Sequence, residues 1–517
     1  MKIISTLLFS IILTLNAYAQ LTPHEAIKQM SRGINIGNTF DAPNLDWGNS
    51  DIKESYFDDF KNAGLTCIRI PIRWENRIAE TSPYTIDESW LNHIEEVIDW
   101  GLSRNLFIII NAHHDNWIKL DYDNQSARFD SLWAQVSNRF KDKSDHLLFE
   151  ILNEPVVAMS DGSTKGLTVE QINELNARIL SIIRKTNPTR IVCISGNSWS
   201  GAYDLMKITP PNDKYLIGYF HSYDPSSFAL EAKGKWGTNS DQSELKKRFQ
   251  QVLSWAEKYD LPISVNEFGA IRFYNGKTTD FNSRMLHYAK YVEYMIELGI
   301  AFNAWDNGST NGDFMIYKRS TGTWDNDVKD ILQYYSPLAP SNIVVSQIDN
   351  SKVQVSFTQR DTNATSIALE RRNERGSYKT IATAKANDTN HLIDSTEVSA
   401  GNSYIYRVKT FCGDSISTVS YPVKQTIEIY DSAFISTLKL TAEIYPNPTS
   451  NYINVNLPNA TYKIDIYSQN GDKVCELIMK DNENIIPINN LASGIYFIHF
   501  TNTTTQQSFT SKLIKQP

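Results

Sequence analysis

Between about residue 30 and residue 336 the sequence repeats one unit eight times. A short, nearly continuous apolar run is followed by a stretch whose apolar residues recur at helical spacing. The runs are "GINIGN" from Gly33, "TCIRIPI" from Thr66, "LFIIINAHH" from Leu106, "HLLFEILNE" from His146, "RIVCISG" from Arg190, "LIGYFHSY" from Leu216, "LPISVNEFG" from Leu261 and "GIAFNAWDN" from Gly299. Helices are expected over 51–63, 87–104, 125–141, 169–186, 241–259, 278–298 and 325–335. In the second of these Trp90, Leu91, Ile94, Val97 and Ile98 share one face. Only the stretch after the fifth run, near Gly201 to Lys207, makes a poor helix. Strands apolar along their whole length must be covered on both sides, as in a parallel sheet. Eight such units predict an α/β fold, a closed (β/α)8 TIM barrel. The alternative is an open doubly wound sheet. No G-x-G-x-x-G follows the first run, and eight regular units suit closure.

The apolar runs do not end as core strands should. "LLFEILNEP" runs into Asn153 and Glu154, the first run ends near Asn35 and Asn38, and the second carries Arg69. The third ends in Asn111 with His113 and His114, and the sixth in His221 and Tyr223. The seventh ends in Asn266 and Glu267, the eighth in Trp305 and Asp306. Burying such groups unpaired costs roughly 1–3 kcal/mol each. In a barrel the C-terminal strand ends form the mouth where active sites lie, so these residues are expected there. Glu154 and Glu267 end strands four and seven, which face each other across a small barrel. Two facing carboxyl groups are the machinery of glycoside hydrolysis, retaining at about 5–5.5 Å and inverting at about 6.5–9.5 Å. The sequence does not measure that gap. It also does not say which carboxylate Arg69 touches and so keeps ionised.

Other readings are set aside on chemical grounds. His113, His114 and Asp115 could begin a metal site, but zinc needs three or four convergent ligands, and no metal or cofactor is expected. The run Asp121 to Asn124 is acidic but lacks a full calcium loop. Trp90, Trp100, Trp133 and Trp255 fall on helix faces and are expected to pack. Trp47, Trp117, Trp199 and Trp236 fall in loops above the strands, where a flat indole could hold a sugar. Cys67, Cys193, Cys412 and Cys475 lie far apart without C-x-x-C spacing, so neither a disulfide framework nor a zinc site is expected. Fifty Lys and Arg against 58 Asp and Glu leave a net charge of −8, which disfavours a nucleic-acid partner.

The chain also holds segments outside the barrel. Residues 1–19 have Lys2, an apolar core from Ile3 to Leu15 and an Ala17-Tyr18-Ala19 ending, which reads as a secretory signal peptide. No other run is apolar enough to span a bilayer. The barrel is expected over 20–336. Past the proline pair at Pro337 and Pro340, residues 337–429 alternate as short strands and predict a β-sandwich. A linker at 430–442 then leads to a second all-β domain at 443–517.

Seven of these motifs in order resemble glycoside hydrolase family 5, in the cellulase and β-mannanase superfamily, across residues 21–336. They are "GINIGNTF", "IRIPIRW", "NAHHD", "FEILNEP", "HSY", "NEFGA" and "AWDNG". The resemblance implies a retaining mechanism with Glu154 as acid/base and Glu267 as nucleophile. It implies that Arg69 holds the nucleophile ionised, Asn153 bonds the sugar 2-hydroxyl, His113, His221 and Tyr223 line the site, and Trp305 floors the sugar before the cleaved bond. The implied activity is a secreted or cell-surface endo-β-1,4-glucanase acting on a polysaccharide. β-Mannanase or xyloglucanase activity and a non-catalytic glycan-binding protein are the alternatives. The "AWDNG" ending departs from the W-E or W-S of many relatives, which leaves the surroundings of Trp305 open. The 337–429 segment resembles a fibronectin type III module acting as a spacer. "IYPNPTSNYINV" from Ile444 and "LASGIYFIHF" resemble the C-terminal sorting domain of the type IX secretion system, which implies a secretion machinery as partner.

Overall fold

The computed structural model describes residues 20–43, 51–308, 313–428, 443–457, 460–480, 484–504 and 508–517. The signal segment 1–19, Trp47 and the 430–442 linker lie outside the described residues.

Eight strands form the expected closed ring: β1 (Arg32–Asn35), β2 (Cys67–Ile70), β3 (Phe107–Asn111), β4 (Leu147–Glu150), β5 (Val192–Ile194), β6 (Leu216–Ser222), β7 (Ile263–Phe268) and β8 (Ala301–Ala304). Each pairs in parallel with its sequence neighbours, and β8 closes on β1. The central strands are buried along their whole length, which is why they read as unbroken apolar runs. The expected helices are present, among them Glu88–Ser103, Val169–Arg184 and Phe281–Glu297. The poor helical stretch after β5 gives one short turn, Ala202–Leu205.

One element that the periodicity did not single out closes the bottom of the barrel. The helix Pro23–Met30 opens with a capping box, in which Thr22 and Glu25 each bond the other's backbone N–H. Its Ala26, Ile27 and Met30, with Leu21, pack into one cluster with Cys67, Phe107, Leu148, Cys193 and Tyr219 of the strands. The end opposite the mouth is thereby filled with buried apolar side chains.

Residues 341–426 form two antiparallel sheets. One holds Ser341–Asp349, Lys352–Thr358 and His391–Asp394; the other is built on Ser366–Asn373 and Ser403–Cys412. Tyr404 donates its hydroxyl to the Glu397 carbonyl at 3.1 Å and pins the corner between the sheets. This sandwich is seated on the barrel and is not a free spacer. Arg360 pairs with Glu293 at 2.6 Å, Arg372 pairs with Asp327, and Arg407 bridges Asp330 and Glu370. Tyr378 donates to Asp327 at 2.7 Å and lies under the Arg407 guanidinium.

The C-terminal unit has its own core, with Ile453, Ile464, Ile466, Ile498, Phe500 and Leu513 buried between a three-stranded and a four-stranded antiparallel sheet. All four cysteines are free. Among the described residues no helix is long and apolar enough to cross a membrane.

Candidate active site

Arg69 organises the floor of the barrel mouth. It is completely buried on β2, and each of its five N–H groups has an acceptor. Nε and Nη2 grip Glu150 on β4 at 2.8 and 2.6 Å, and Nη2 also reaches Asn153 Oδ1 at 2.7 Å. Nη1 reaches Asn35 Oδ1 at 2.9 Å and Glu267 Oε1 at 2.7 Å. An arginine only donates, so the Asn153 oxygen faces it and the Asn153 NH2 points the other way. Asn35 in turn donates to the Asn266 carbonyl at 2.9 Å, which ties β1 to β7. Asn35 therefore orients Arg69 from beneath the cavity.

Glu150 was hidden in the sequence as one more residue of an apolar strand. It is fully buried and also accepts from Asn111 at 2.8 Å and Asn266 at 2.6 Å. The available signal was charge balance, because an arginine inside an apolar strand needs an anion on a neighbouring one.

Glu267 receives a second hydrogen bond, 2.9 Å from the Tyr223 hydroxyl. Burial pushes the Tyr223 phenol far up, so it stays a neutral donor. Across from Glu267, Glu154 meets His221 Nδ1 at 2.8 Å, and His221 Nε2 lies 3.7 Å from Glu267. One oxygen of Glu154 and one of Glu267 lie within 4.8 Å of each other. Glu154 itself has φ +36°, a left-handed conformation that a non-glycine residue holds at a cost of order 1–3 kcal/mol.

The two carboxyls are tuned by different neighbours. Burial raises Glu267, His221 and Arg69 pull against it, and the net direction is up. Burial also raises Glu154, but the His221 hydrogen bond and charge, with Lys119 and His114, outweigh it and the net direction is down. His113 is driven well below the usual histidine range by burial first and by neighbouring cations second. Its tautomer follows from Asn111. Oδ1 of that amide accepts from the Ile72 N–H at 3.0 Å, so its NH2 faces His113 Nδ1 at 3.1 Å. The His113 proton then sits on Nε2.

The cavity over these groups measures about 580 Å3 and is lined by His113, His114, Glu154, Trp199, His221, Tyr223, Glu267 and Trp305. The Trp305 ring lies parallel to His113, with centroids 6.0 Å apart. Trp199 is 46% exposed on a turn whose flanking Ser198 and Ser200 are both left-handed. That turn is clamped to β6 by the His221 N–H, which donates to the Ser200 carbonyl at 2.8 Å. Tyr203, Leu230, Arg248 and Phe314 extend the wall, and none of them stood out in the sequence.

Three expectations need correction. Trp236 is only 5% exposed, packs edge-on against His287 with centroids 5.0 Å apart, and does not line the cavity. Its loop position was right, but the indole folds down onto the helix beneath. Asn38 has φ +56°, which asparagine tolerates, and serves the turn after β1 without lining the cavity. Trp117 bonds Asp115 at 3.0 Å under Arg128 and lies away from the cavity. The surroundings of Trp305 are also settled. Asp306 is buried and accepts from the N–H groups of Gly308, Ile316 and Tyr317 and from Arg319, so it knots the loop after β8.

Among the described residues two groups bring three ligand-type atoms within 4.8 Å: Asp41, His113 and His114, and Glu154, His221 and Glu267. The second is the carboxylate pair itself with the histidine between its members.

Residues 28–311 match the profile of cellulase, glycosyl hydrolase family 5. The chain belongs to this family. Residues 443–516 match the secretion system C-terminal sorting domain. This family 5 chain is 43% identical over 313 residues to Endoglucanase H of Acetivibrio thermocellus, covering 60% of this chain and 33% of that protein. It is 31% identical over 327 residues to Endoglucanase B of Clostridium cellulovorans, covering 59% of this chain and 73% of that one. It thus spans only a third of the length of Endoglucanase H. The crystal structure of endoglucanase Cel5A from Thermotoga maritima superposes with a TM-score of 0.56 at 33% identity, covering 60% of this chain and all of that one.

Proposed function

We propose that the protein is a secreted, retaining endo-β-1,4-glucanase that cleaves β-glucan by double displacement. The observation that carries the reading is the pair of carboxyl oxygens, one on Glu154 and one on Glu267, within 4.8 Å of each other in a family 5 barrel. A gap of that size suits a covalent intermediate and leaves little room for a water between the two groups.

In the first step the Glu267 carboxylate attacks the anomeric carbon while Glu154 gives its proton to the leaving glycosidic oxygen. The glycosyl ester on Glu267 is then displaced by water, whose proton returns to Glu154. Arg69 and Tyr223 each donate to one Glu267 oxygen and so aim it. Asn153, fixed by Arg69, presents its NH2 to the 2-hydroxyl, and His113 presents Nε2–H. Trp305 floors the sugar before the cleaved bond, and Trp199 offers an exposed platform on the wall.

In the free site the pKa directions of the pair are the reverse of these roles. Glu154 and Glu267 titrate as a pair, with His221 within reach of both. The 2.8 Å contact with His221 is what holds Glu154 down in the free site.

The homologues named endoglucanases favour glucan. A mannan reading has one specific support, because Thermotoga maritima Cel5A has been solved with mannotriose as well as with cellobiose. The sorting-domain match at 443–516 supports an enzyme outside the cell or on its surface, and the signal-like residues 1–19 fit export, with the secretion machinery as partner. Release of reducing ends from carboxymethylcellulose, lichenan, xyloglucan, glucomannan and xylan tests the reading. Carboxymethylcellulose and lichenan should be cleaved fastest. Preference for glucomannan would support the mannanase alternative, and binding without cleavage would support a glycan-binding protein.

A further inference from the structure

We infer that Glu150 is a positioning residue for the reaction: it aligns the Arg69 guanidinium on Glu267 and offsets the arginine's charge beneath the carboxylate pair. The inference rests on the reading of Glu154 and Glu267 given above.

The geometry is specific. Both Glu150 oxygens bond Arg69, at 2.6 and 2.8 Å, in the fork-on-fork arrangement that fixes a guanidinium plane. With Nε and Nη2 held, Nη1 has one direction left, and along it lie Asn35 and Glu267. Glu150 is itself held by the amides of Asn111 on β3 and Asn266 on β7. Four strands therefore set the angle at which Arg69 meets Glu267, and Glu150 never touches the cavity.

The charge count follows from the same contacts. Arg69 and Glu150 are both fully buried and sum to zero. Glu267 is thus paired with an arginine that is already neutralised on its other edge. Other titratable groups that interact with Glu150 include the Cys193 thiol on β5 and the Tyr219 phenol and His221 ring on β6. Burial pushes the thiol and phenol far up, so neither carries charge. Removing the Glu150 charge alone would leave a full positive charge 2.7 Å from Glu267. Glu267 would then ionise at lower pH, and Glu154 would lose its proton at lower pH.

Two variants separate alignment from charge. Glu150→Gln keeps the length and removes the charge, at the cost of one acceptor, since its NH2 must face donors of Arg69 and an asparagine. The acid limb of kcat/KM on an aryl β-cellobioside with a good leaving group should fall by about one pH unit or more. The alkaline limb on cello-oligosaccharide should fall with it. Glu150→Asp keeps the charge and shortens the reach. Its limbs should stay in place while kcat falls at least tenfold, with Tm recorded alongside both. A lowered Tm with limbs and kcat like the parent's would make Glu150 structural only and overturn the inference. If Glu150→Gln does not fold, Glu150→Asp decides alone, because an undiminished kcat there would refute alignment. If the parent enzyme cleaves neither substrate, the glucanase reading has failed, and that result is distinct from unmoved limbs in an active enzyme.

Discussion

His221 and Glu154 meet at 2.8 Å between Nδ1 and Oε1, on a histidine held in place by its backbone bond to Ser200. After burial, which acts the other way, this contact is the largest influence on Glu154 and pulls its carboxyl down. Replacing His221 with Asn removes that pull, so Glu154 keeps its proton to higher pH. The alkaline limb of kcat/KM on cello-oligosaccharide should move up by about one unit. An unmoved or lowered limb would mean that His221 does not tune the acid.

Glu154 and Glu267 should fail differently. Glu154→Gln should lose about 10²–10⁴-fold on polysaccharide, where the leaving group needs a proton. It should keep far more activity on aryl cellobiosides with good leaving groups, and added azide should restore turnover by attacking the glycosyl-enzyme. Glu267→Gln should be inactive on both substrates. Steady-state kinetics with and without azide make the comparison.

Gly37 leaves room for the Trp305 ring. A Cβ there would lie 2.6 Å from Cη2 and Cζ2 of that indole, which would have to move. Gly37→Ala should therefore resemble Trp305→Ala in kinetics while keeping its fold. If about 80 Å2 of stacked apolar surface is lost at roughly 25 cal/mol/Å2, the cost is about 2 kcal/mol, or ~30-fold in kcat/KM. Circular dichroism checks the fold, and initial rates on cello-oligosaccharide check the loss.

The sandwich should matter to stability more than to chemistry. Arg407 is buried and serves both Asp330 of the barrel and Glu370 of the sandwich. Arg407→Met would leave Asp330 with only Lys329 and Glu370 with only Lys409. Breaking a buried pair outright typically costs about 3–5 kcal/mol, and these remaining partners put the loss at or below the lower end of that range. Calorimetry should show a clearly lower Tm, while kcat/KM measured well below the transition stays near that of the parent.

Much of the mouth was legible because strand ends carry polar groups that a core would not accept. Asn153, Glu154, His221, Glu267 and Trp305 were all reached in this way. Glu150 was not, since nothing in a one-dimensional apolar run says which of its residues faces a buried arginine two strands away. Trp236 failed for the opposite reason. A loop position says where a chain passes, and the tilt of the indole onto His287 is a packing outcome. The helix Pro23–Met30 carried a readable capping box, but its role as a plug depends on Leu21, Ile27 and Met30 meeting a barrel end that only closure creates.

The most direct test is the configuration of the first sugar released. Proton NMR of a cello-oligosaccharide digest, followed within the first minutes, should show the β-anomer of the new reducing end ahead of the α-anomer, which then grows by mutarotation. Early excess of the α-anomer would mean a single displacement by water, and the pairing of Glu154 with Glu267 as acid/base and nucleophile would be wrong.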